Sequence, residues 1–451
     1  MPTPEPIPQD SQALLDDLIG RARKAGADAA DAVLVESASL SHAQRLGKVE
    51  KLERSENYDL GLRVLVGKRQ AIVSSNDRRE TARGELVARA IAMAKTVPED
   101  PYCGLADPSE LARQWPDLDL VDPQEPAPEL LIARAAAAED AARAVPGVTN
   151  SEGAEAGWSR SRIALVASNG FAGGYGMTHH SVSAAVLAGS GTGMERDYDF
   201  SSAVWAEALS DPAAIGKSAG ERAVKRLGAR KVPTCQVPVV FDPRVAGGLL
   251  RHLIGAISGP AIARGTSFLK DKLGERIMPA GVTVIDDPHR RRGLRAKPFD
   301  GEGVRNARRA IVEDGVLKTW LLDQRSARQL GMKSTGHASR GTSGPPGPGP
   351  TNLYLEPGAV TAKELIGDIA SGFYVCELMG MGVNGVTGDY SRGAAGFWIE
   401  RGAIAFPVSE MTIAGNLKDI FLHLTAANDL VFKTGSDAPT LRIDGMTVAG
   451  A

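Results

Sequence analysis

Apolar residues at Leu14, Leu15, Leu18 and Ile19 recur at helical spacing, predicting an opening helix that stops near Gly26. Runs with strand-like patterning follow at 32–37, 40–52, 58–65 and 71–75, and a helical pattern at 80–95 ends before Pro98. The order is helix, four strands, helix. It recurs after a proline-rich stretch at Pro116, Pro123, Pro126 and Pro128. An alanine-rich helix at 129–145 stops at Pro146-Gly147, and strands are predicted at 148–156, 161–168, 174–188 and 196–208. Asp211-Pro212 then supplies an N-cap and a first-turn proline for a helix reaching Leu227-Gly228. The halves share pattern but little sequence.

A new unit starts after Pro233, with a short apolar strand at 237–241 and a helix at 244–257 opened by Asp242-Pro243. Beyond it the pattern is mainly β. Asp314-Gly315 and Arg401-Gly402 each mark a hairpin, since tight hairpin turns need positive φ angles. Residues 336–350 are too rich in Gly, Pro and Ser for regular structure, and a loop that long in a compact unit is commonly functional or mobile. The expected fold class is α+β. Two helix–four strand–helix repeats, at 1–115 and 116–232, precede a mainly antiparallel β domain at 233–451.

Charge and composition narrow the function classes. The 52 Lys+Arg and 54 Asp+Glu residues of the 451 leave a net charge of -2, without the basic excess expected of a nucleic-acid binder. Cys103, Cys235 and Cys376 are distant in sequence and form no C-x-x-C pair, so no disulfide framework or cysteine-rich metal site is expected. The proline-rich start lacks the regions of a signal peptide. The longest apolar candidate, 247–263, is broken by Arg251, His252 and Pro260, so no membrane span is expected and the cytoplasm is the expected compartment.

Several motifs fit bland roles better than catalytic ones. Gly189-Ser190-Gly191-Thr192-Gly193 has strands on both sides and reads as a hairpin turn rather than a phosphate cradle. Gly216-Lys217-Ser218 lacks the earlier glycine of a P-loop and reads as helix interior. Gly341-Thr342-Ser343-Gly344 is followed by Pro345, which spoils a nucleophile elbow. His179 and His180 are adjacent in a strand, so they face opposite sides and cannot share a metal. Asp286-Asp287-Pro288-His289, followed by three arginines, reads as an exposed turn.

Asp242-Pro243, Gly248-Leu249-Leu250 and Gly265-Thr266-Ser267-Phe268 frame the helix at 244–257 and the loop behind it. Further blocks are Gly380-x-Gly382-Val383-Asn384, Thr387-Gly388-Asp389-Tyr390-Ser391-Arg392-Gly393-Ala394, Phe397-Trp398-Ile399-Glu400 and the run from Pro407 to Leu417. Together they resemble the TldD/PmbA peptidase family, also labelled modulator of DNA gyrase, over nearly the whole chain.

In TldD-type chains of that family, this helix carries H-E-x-x-x-H. Two histidines hold zinc, and the glutamate activates a metal-bound water. The matching positions here are Arg251, His252 and Ala256, which the resemblance marks as a degenerate metal site. A guanidinium has no lone pair to donate. The cysteine ligand expected between Asp429-Leu430 and Ala438-Pro439 is also missing.

The resemblance therefore implies a non-catalytic, PmbA (TldE) type of subunit with no metal or other cofactor of its own. Zinc is expected in a TldD-type partner, and the pair is expected to cleave unfolded or leader-type peptides. The chain is expected to be inactive alone, and a homodimer is open to it without the partner. Candidate peptide-facing elements are 336–352 and 384–392. There Arg340 is expected to engage a peptide carboxylate or carbonyl and Asn352 its backbone, with Asn384 and Arg392 as further contacts. The bland alternative for each is turn stabilisation. Two rival readings remain: a hydrolase with a divergent site near His252 or Asp286-Asp287-His289, and an interaction protein acting on DNA gyrase systems without proteolysis.

Overall fold

The structure, a computed structural model, describes residues 8–77 and 79–450; nearly all of the proline-rich start lies outside them. The first part of the chain runs α1 (Gln9–Lys24), β1 (Ala29–Arg45), β2 (Lys48–Val66), β3 (Arg69–Ser75) and α2 (Glu80–Thr96). It continues through α3 (Pro128–Arg143), β4 (Val148–Ala167), β5 (Phe171–Ala188), β6 (Glu195–Ala203) and α4 (Pro212–Lys225). Each repeat thus has three strands rather than four. The predicted strand at 40–52 crosses a turn at Leu46 and Gly47, both at positive φ, and the strands predicted at 148–156 and 161–168 are one continuous β4.

All six strands form one antiparallel sheet in the order β3-β2-β1-β4-β5-β6. Side chains alternate across it, so even-numbered β1 residues face the helices. Leu34, with Leu62 and Val64 of β2, packs under α1 and α2, while Leu40, Trp158 and Val182 pack under α3 and α4. The helices approach closely where side chains are small. A Cβ on Gly216 would lie 1.8 Å from the Ala138 carbonyl oxygen, so that contact requires glycine. Val33 and Leu165 point to the opposite face and pack against Phe299 and Val304 from the later part of the chain.

That later part opens with β7 (Cys235–Phe241), α5 (Pro243–Ala256) and α6 (Gly259–Ala263). Then come β8 (Val284–Asp287), β9 (Arg309–Glu313), β10 (Val316–Leu317), α7 (Gln324–Gln329), β11 (Ala338–Ser339), β12 (Gly347–Pro348) and β13 (Asn352–Leu355). It ends with α8 (Ala362–Gly367), β14 (Ser371–Val383), β15 (Asp389–Glu400), β16 (Ala403–Asn416), α9 (Leu417–Leu422), β17 (Leu424–Ala426), β18 (Ser436–Asp437) and β19 (Leu441–Ala449).

Strands β16, β15, β14, β7 and β19 pair in that order, and β19 pairs back onto β16, closing a barrel. The β7–β14 pairing is parallel; its neighbours around the ring are antiparallel. A smaller sheet, β10-β9-β8-β13-β18, lies alongside. Both predicted hairpin turns are present, with positive φ at Asp314-Gly315 and Arg401-Gly402. The segment predicted to be irregular holds a short ladder, Ala338 opposite Pro348 and Ser339 opposite Gly347. Asp286 is not in an exposed turn: it is buried in β8 and accepts hydrogen bonds from the amide and hydroxyl of Thr351, both at 2.6 Å. The chain is mixed α+β with strands predominating, and no helix among the described residues is long and apolar enough to cross a membrane.

Candidate functional site

Helix α5 starts at the end of barrel strand β7. Asp242 caps it, its carboxylate accepting from the Arg244 amide at 2.9 Å and from the Tyr374 hydroxyl at 3.1 Å. Leu249, Leu250, Leu253 and Ala256 share the helix face buried in the main core, whereas Arg251 is exposed and His252 half-buried. Gly247 lets the helix lie against β18, since a Cβ there would sit 2.3 Å from the Ser436 carbonyl oxygen. Ala256 points inward at 3% exposure, and its carbonyl accepts from the Ser267 hydroxyl.

The outward side of α5 meets the hairpin of β14 and β15. His252 sets its ring edge-on to Tyr390, with centroids 5.8 Å apart and planes at 80°. Burial lowers the pKa of His252, and the Arg392 and Arg251 cations lower it further, so the imidazole is neutral at neutral pH. Arg392 Nε donates to the Met379 carbonyl at 3.2 Å. Among the described residues, neither Arg392 nor Arg251 has an acidic partner. Tyr390 is 2% exposed, and its hydroxyl has no hydrogen-bond partner among the described residues. Burial pushes its pKa up to about 12.

Asn384 shapes the turn beside this cluster. Its side-chain oxygen accepts from the Val386 amide at 2.9 Å, and its own amide donates to the Asp389 carbonyl at 2.9 Å. Phe268 N donates to the Gly385 carbonyl at 3.1 Å, tying the turn to the loop behind α5. An open concavity of about 650 Å³ lies here, lined by Met381, Asn384, Gly385, Tyr390 and Ser391 among others.

The cluster does not suit zinc. Arg251 and Ala256 offer no ligand atom, His252 is a single imidazole between two cations, and no three His, Cys, Asp or Glu side chains among the described residues converge on a metal position.

The structure thus gathers Arg251, His252 and Arg392 at the barrel mouth, with Asn384 in the turn beside them. Arg340 and Asn352 lie elsewhere, and where the sequence suggested peptide contacts both turn inward. The Arg340 side chain is 2% exposed and donates to Asp31 of β1 at 2.6 Å. Arg63 donates to the same carboxylate, with Nε at 2.9 Å. Asn352 donates to the Asp287 carbonyl at 2.9 Å and accepts from the Arg295 amide at 3.0 Å.

Tyr390 belongs to the site but was not singled out from sequence. Its signal was the two-residue spacing to Arg392, which puts both on one face of a strand.

Three family models match the chain: PmbA/TldA metallopeptidase domain 1 at residues 30–94, the central domain at 121–227 and the C-terminal domain at 234–450. The sequence is 39% identical to metalloprotease PmbA of Escherichia coli O157:H7, across 94% of this chain and 92% of that protein. A crystal structure from Bacteroides thetaiotaomicron, described as a candidate modulator of DNA gyrase, superposes with a TM-score of 0.91 at 30% identity, covering 99% of this chain and 100% of that one. TldE from Thermococcus kodakarensis shares the fold, with a TM-score of 0.86 at 22% identity over 96% of this chain and 99% of that one.

Proposed function

Since this chain belongs to the PmbA/TldD metallopeptidase family, we propose that it is the non-catalytic, TldE-type subunit of a zinc peptidase, paired with a TldD-type chain that holds the metal. One observation carries this reading. The helix position where TldD-type chains place H-E-x-x-x-H is occupied here by Arg251, His252 and Ala256, on an intact α5 packed into an intact barrel. The fold is kept while the ligand set is absent.

In this reading the chain shapes the chamber through which unfolded or leader-type peptides reach the partner's zinc. An extended peptide is held through its main chain along a strand edge, which gives binding with little side-chain preference. Residues at the barrel mouth, Arg392 and Asn384 among them, face that path. The cytoplasm is the proposed compartment.

The name of the Escherichia coli relative, metalloprotease, favours a second reading in which this chain cleaves peptides itself. Purification separates the two. Co-expressed with a TldD-type chain, this chain should co-purify with it, and cleavage of an unfolded peptide should disappear when the partner's motif glutamate is changed to glutamine. This chain alone should bind no stoichiometric zinc and cleave nothing. Stoichiometric zinc, with cleavage by the isolated chain that His252→Ala abolishes, would sink the non-catalytic assignment.

A further inference from the structure

The side chains at the barrel mouth include two arginines without an acidic partner. Arg392 spends only Nε, on the Met379 carbonyl, and the rest of its guanidinium is free. Arg251, exposed on α5, has no acidic partner among the described residues. The His252 imidazole makes a ring contact with Tyr390 and no hydrogen bond among the described residues. Tyr390, 2% exposed, lines the open concavity, and its hydroxyl has no hydrogen-bond partner among the described residues. The carboxylate that lines the concavity, Asp389, already accepts from the Thr387 hydroxyl at 2.6 Å and the Asn416 side-chain amide at 3.2 Å, and pairs with neither arginine. What completes such a set is a ligand that only accepts hydrogen bonds and carries negative charge.

The surroundings choose among anions. The concavity, at about 650 Å³, is open and far larger than a free phosphate requires. Beside it, the second edge of β14 pairs with β7 only from Phe373 to Val375, so its backbone from Cys376 to Val383 has no strand partner on that side among the described residues. A register shift between Met379 and Gly382, with Gly380 at φ +75, turns Met381 out to 90% exposure. An open strand edge with an apolar side chain suits an extended peptide.

We infer that the barrel mouth binds the carboxylate of an extended peptide, with the Arg392 guanidinium and the Tyr390 hydroxyl as direct contacts and Arg251 adding charge at the rim. This rests on the reading above that the chain handles peptides, but it requires neither a partner nor cleavage. The anchored carboxylate fixes one point of the peptide, and the strand edge guides the rest.

The test uses the full chain alone and a five-residue peptide, Gly-Val-Ala-Val-Ala, carrying an N-terminal fluorophore. Its free-acid and C-terminal amide forms are compared by anisotropy. Losing a charge-assisted, two-pronged contact should weaken the amide by about tenfold relative to the acid. Arg392→Gln should weaken the acid form far more than the amide and so remove that preference, and Tyr390→Phe, which keeps the ring packing, should reduce it. Raised salt should weaken the acid form selectively. In His-selective NMR, the acid peptide should raise the titration midpoint of His252 and the amide should not, since an added anion favours the imidazolium.

An amide peptide with an internal glutamate that binds as tightly as the acid, with the same Arg392 dependence, supports the site with a side chain as the carboxylate source. Equal binding of acid and amide, or a preference that survives Arg392→Gln, overturns the inference. So does inorganic phosphate binding with Arg392 dependence while neither peptide form binds. Any of these results leaves co-purification with a TldD-type chain, the test of the subunit assignment, untouched.

Discussion

Two regions of this molecule are built around arginines, and they differ in what stands opposite the charge. At the seam between the N-terminal sheet and the 336–350 loop, Arg340 and Arg63 share the carboxylate of Asp31, all three side chains at 4% exposure or less. Burial alone would push the Asp31 carboxyl up, but Arg340 and Arg63 outweigh it and hold it below its ordinary value. The Thr342 hydroxyl bonds Asp59, and the loop backbone crosses over Gly61. At the barrel mouth, Arg251 and Arg392 face a neutral imidazole and an unbonded phenol. The first pair of arginines holds the fold together; the second has no counter-charge among the described residues. An arginine's role is therefore read from its counter-charge, and its position in a loop or a strand says little.

The largest effect expected of this contrast is at the seam. Arg340→Ala leaves the Asp31 carboxylate buried with half its compensation, and urea unfolding should show a loss of about 3 kcal/mol. Next is Gly61→Ala. Its Cβ would lie 2.2 Å from the Thr342 carbonyl oxygen, so the loop must lift, with an expected loss of about 1–3 kcal/mol by the same measurement.

A pH dependence follows from Glu302, buried near Arg63 and accepting from the Gln324 amide at 2.8 Å. Burial pushes its carboxyl from an ordinary 4.5 up to about 8, against the pull of Arg63. A folded value above the unfolded one means stabilisation that is complete below pH 4.5 and lost as pH rises toward 8. Glu302→Gln should therefore gain stability relative to the parent chain across that interval, read as the difference in thermal midpoint at several pH values. The smallest effect is at the mouth. Arg392→Gln should change unfolding free energy by no more than about 0.5 kcal/mol, because no buried acid depends on it. A loss at Arg392 as large as that at Arg340 would erase the distinction between the two regions.

The elements that sequence revealed are those whose cause is local. Asp242-Pro243 opens α5 because a carboxylate caps it and a proline fits its first turn; Asp314-Gly315 turns because both residues take positive φ. Helix α1 buries Leu15, Leu18, Ile19 and Ala22 at the spacing that predicted it. The long strands were misdivided because their outer stretches are polar. Residues 48–56 of β2 lie almost wholly exposed, and the apolar Val49 and Leu52 among them carry a strand-like pattern across the turn. The inward turn of Arg340 was hidden for another reason, since its partner Asp31 is 309 positions away along the chain. At the mouth, the helix positions were legible through the resemblance that sets them against H-E-x-x-x-H of TldD-type chains. That Tyr390 and Arg392 stand beside them depends on the hairpin folding back over α5, which no local pattern encodes.

The pairing of β19 with β16 makes the barrel a ring with no first or last strand, and α5 is fixed to that ring mainly by its inner face. Residues 251, 252 and 255 lie off the helix face that the core holds, Arg251 and Gly255 exposed and His252 half-buried against Tyr390. Selection can therefore rewrite those positions almost independently of folding. A frame of this kind lets one chemistry be lost and another tried at the same address, and it makes α5 a natural place to install designed recognition residues.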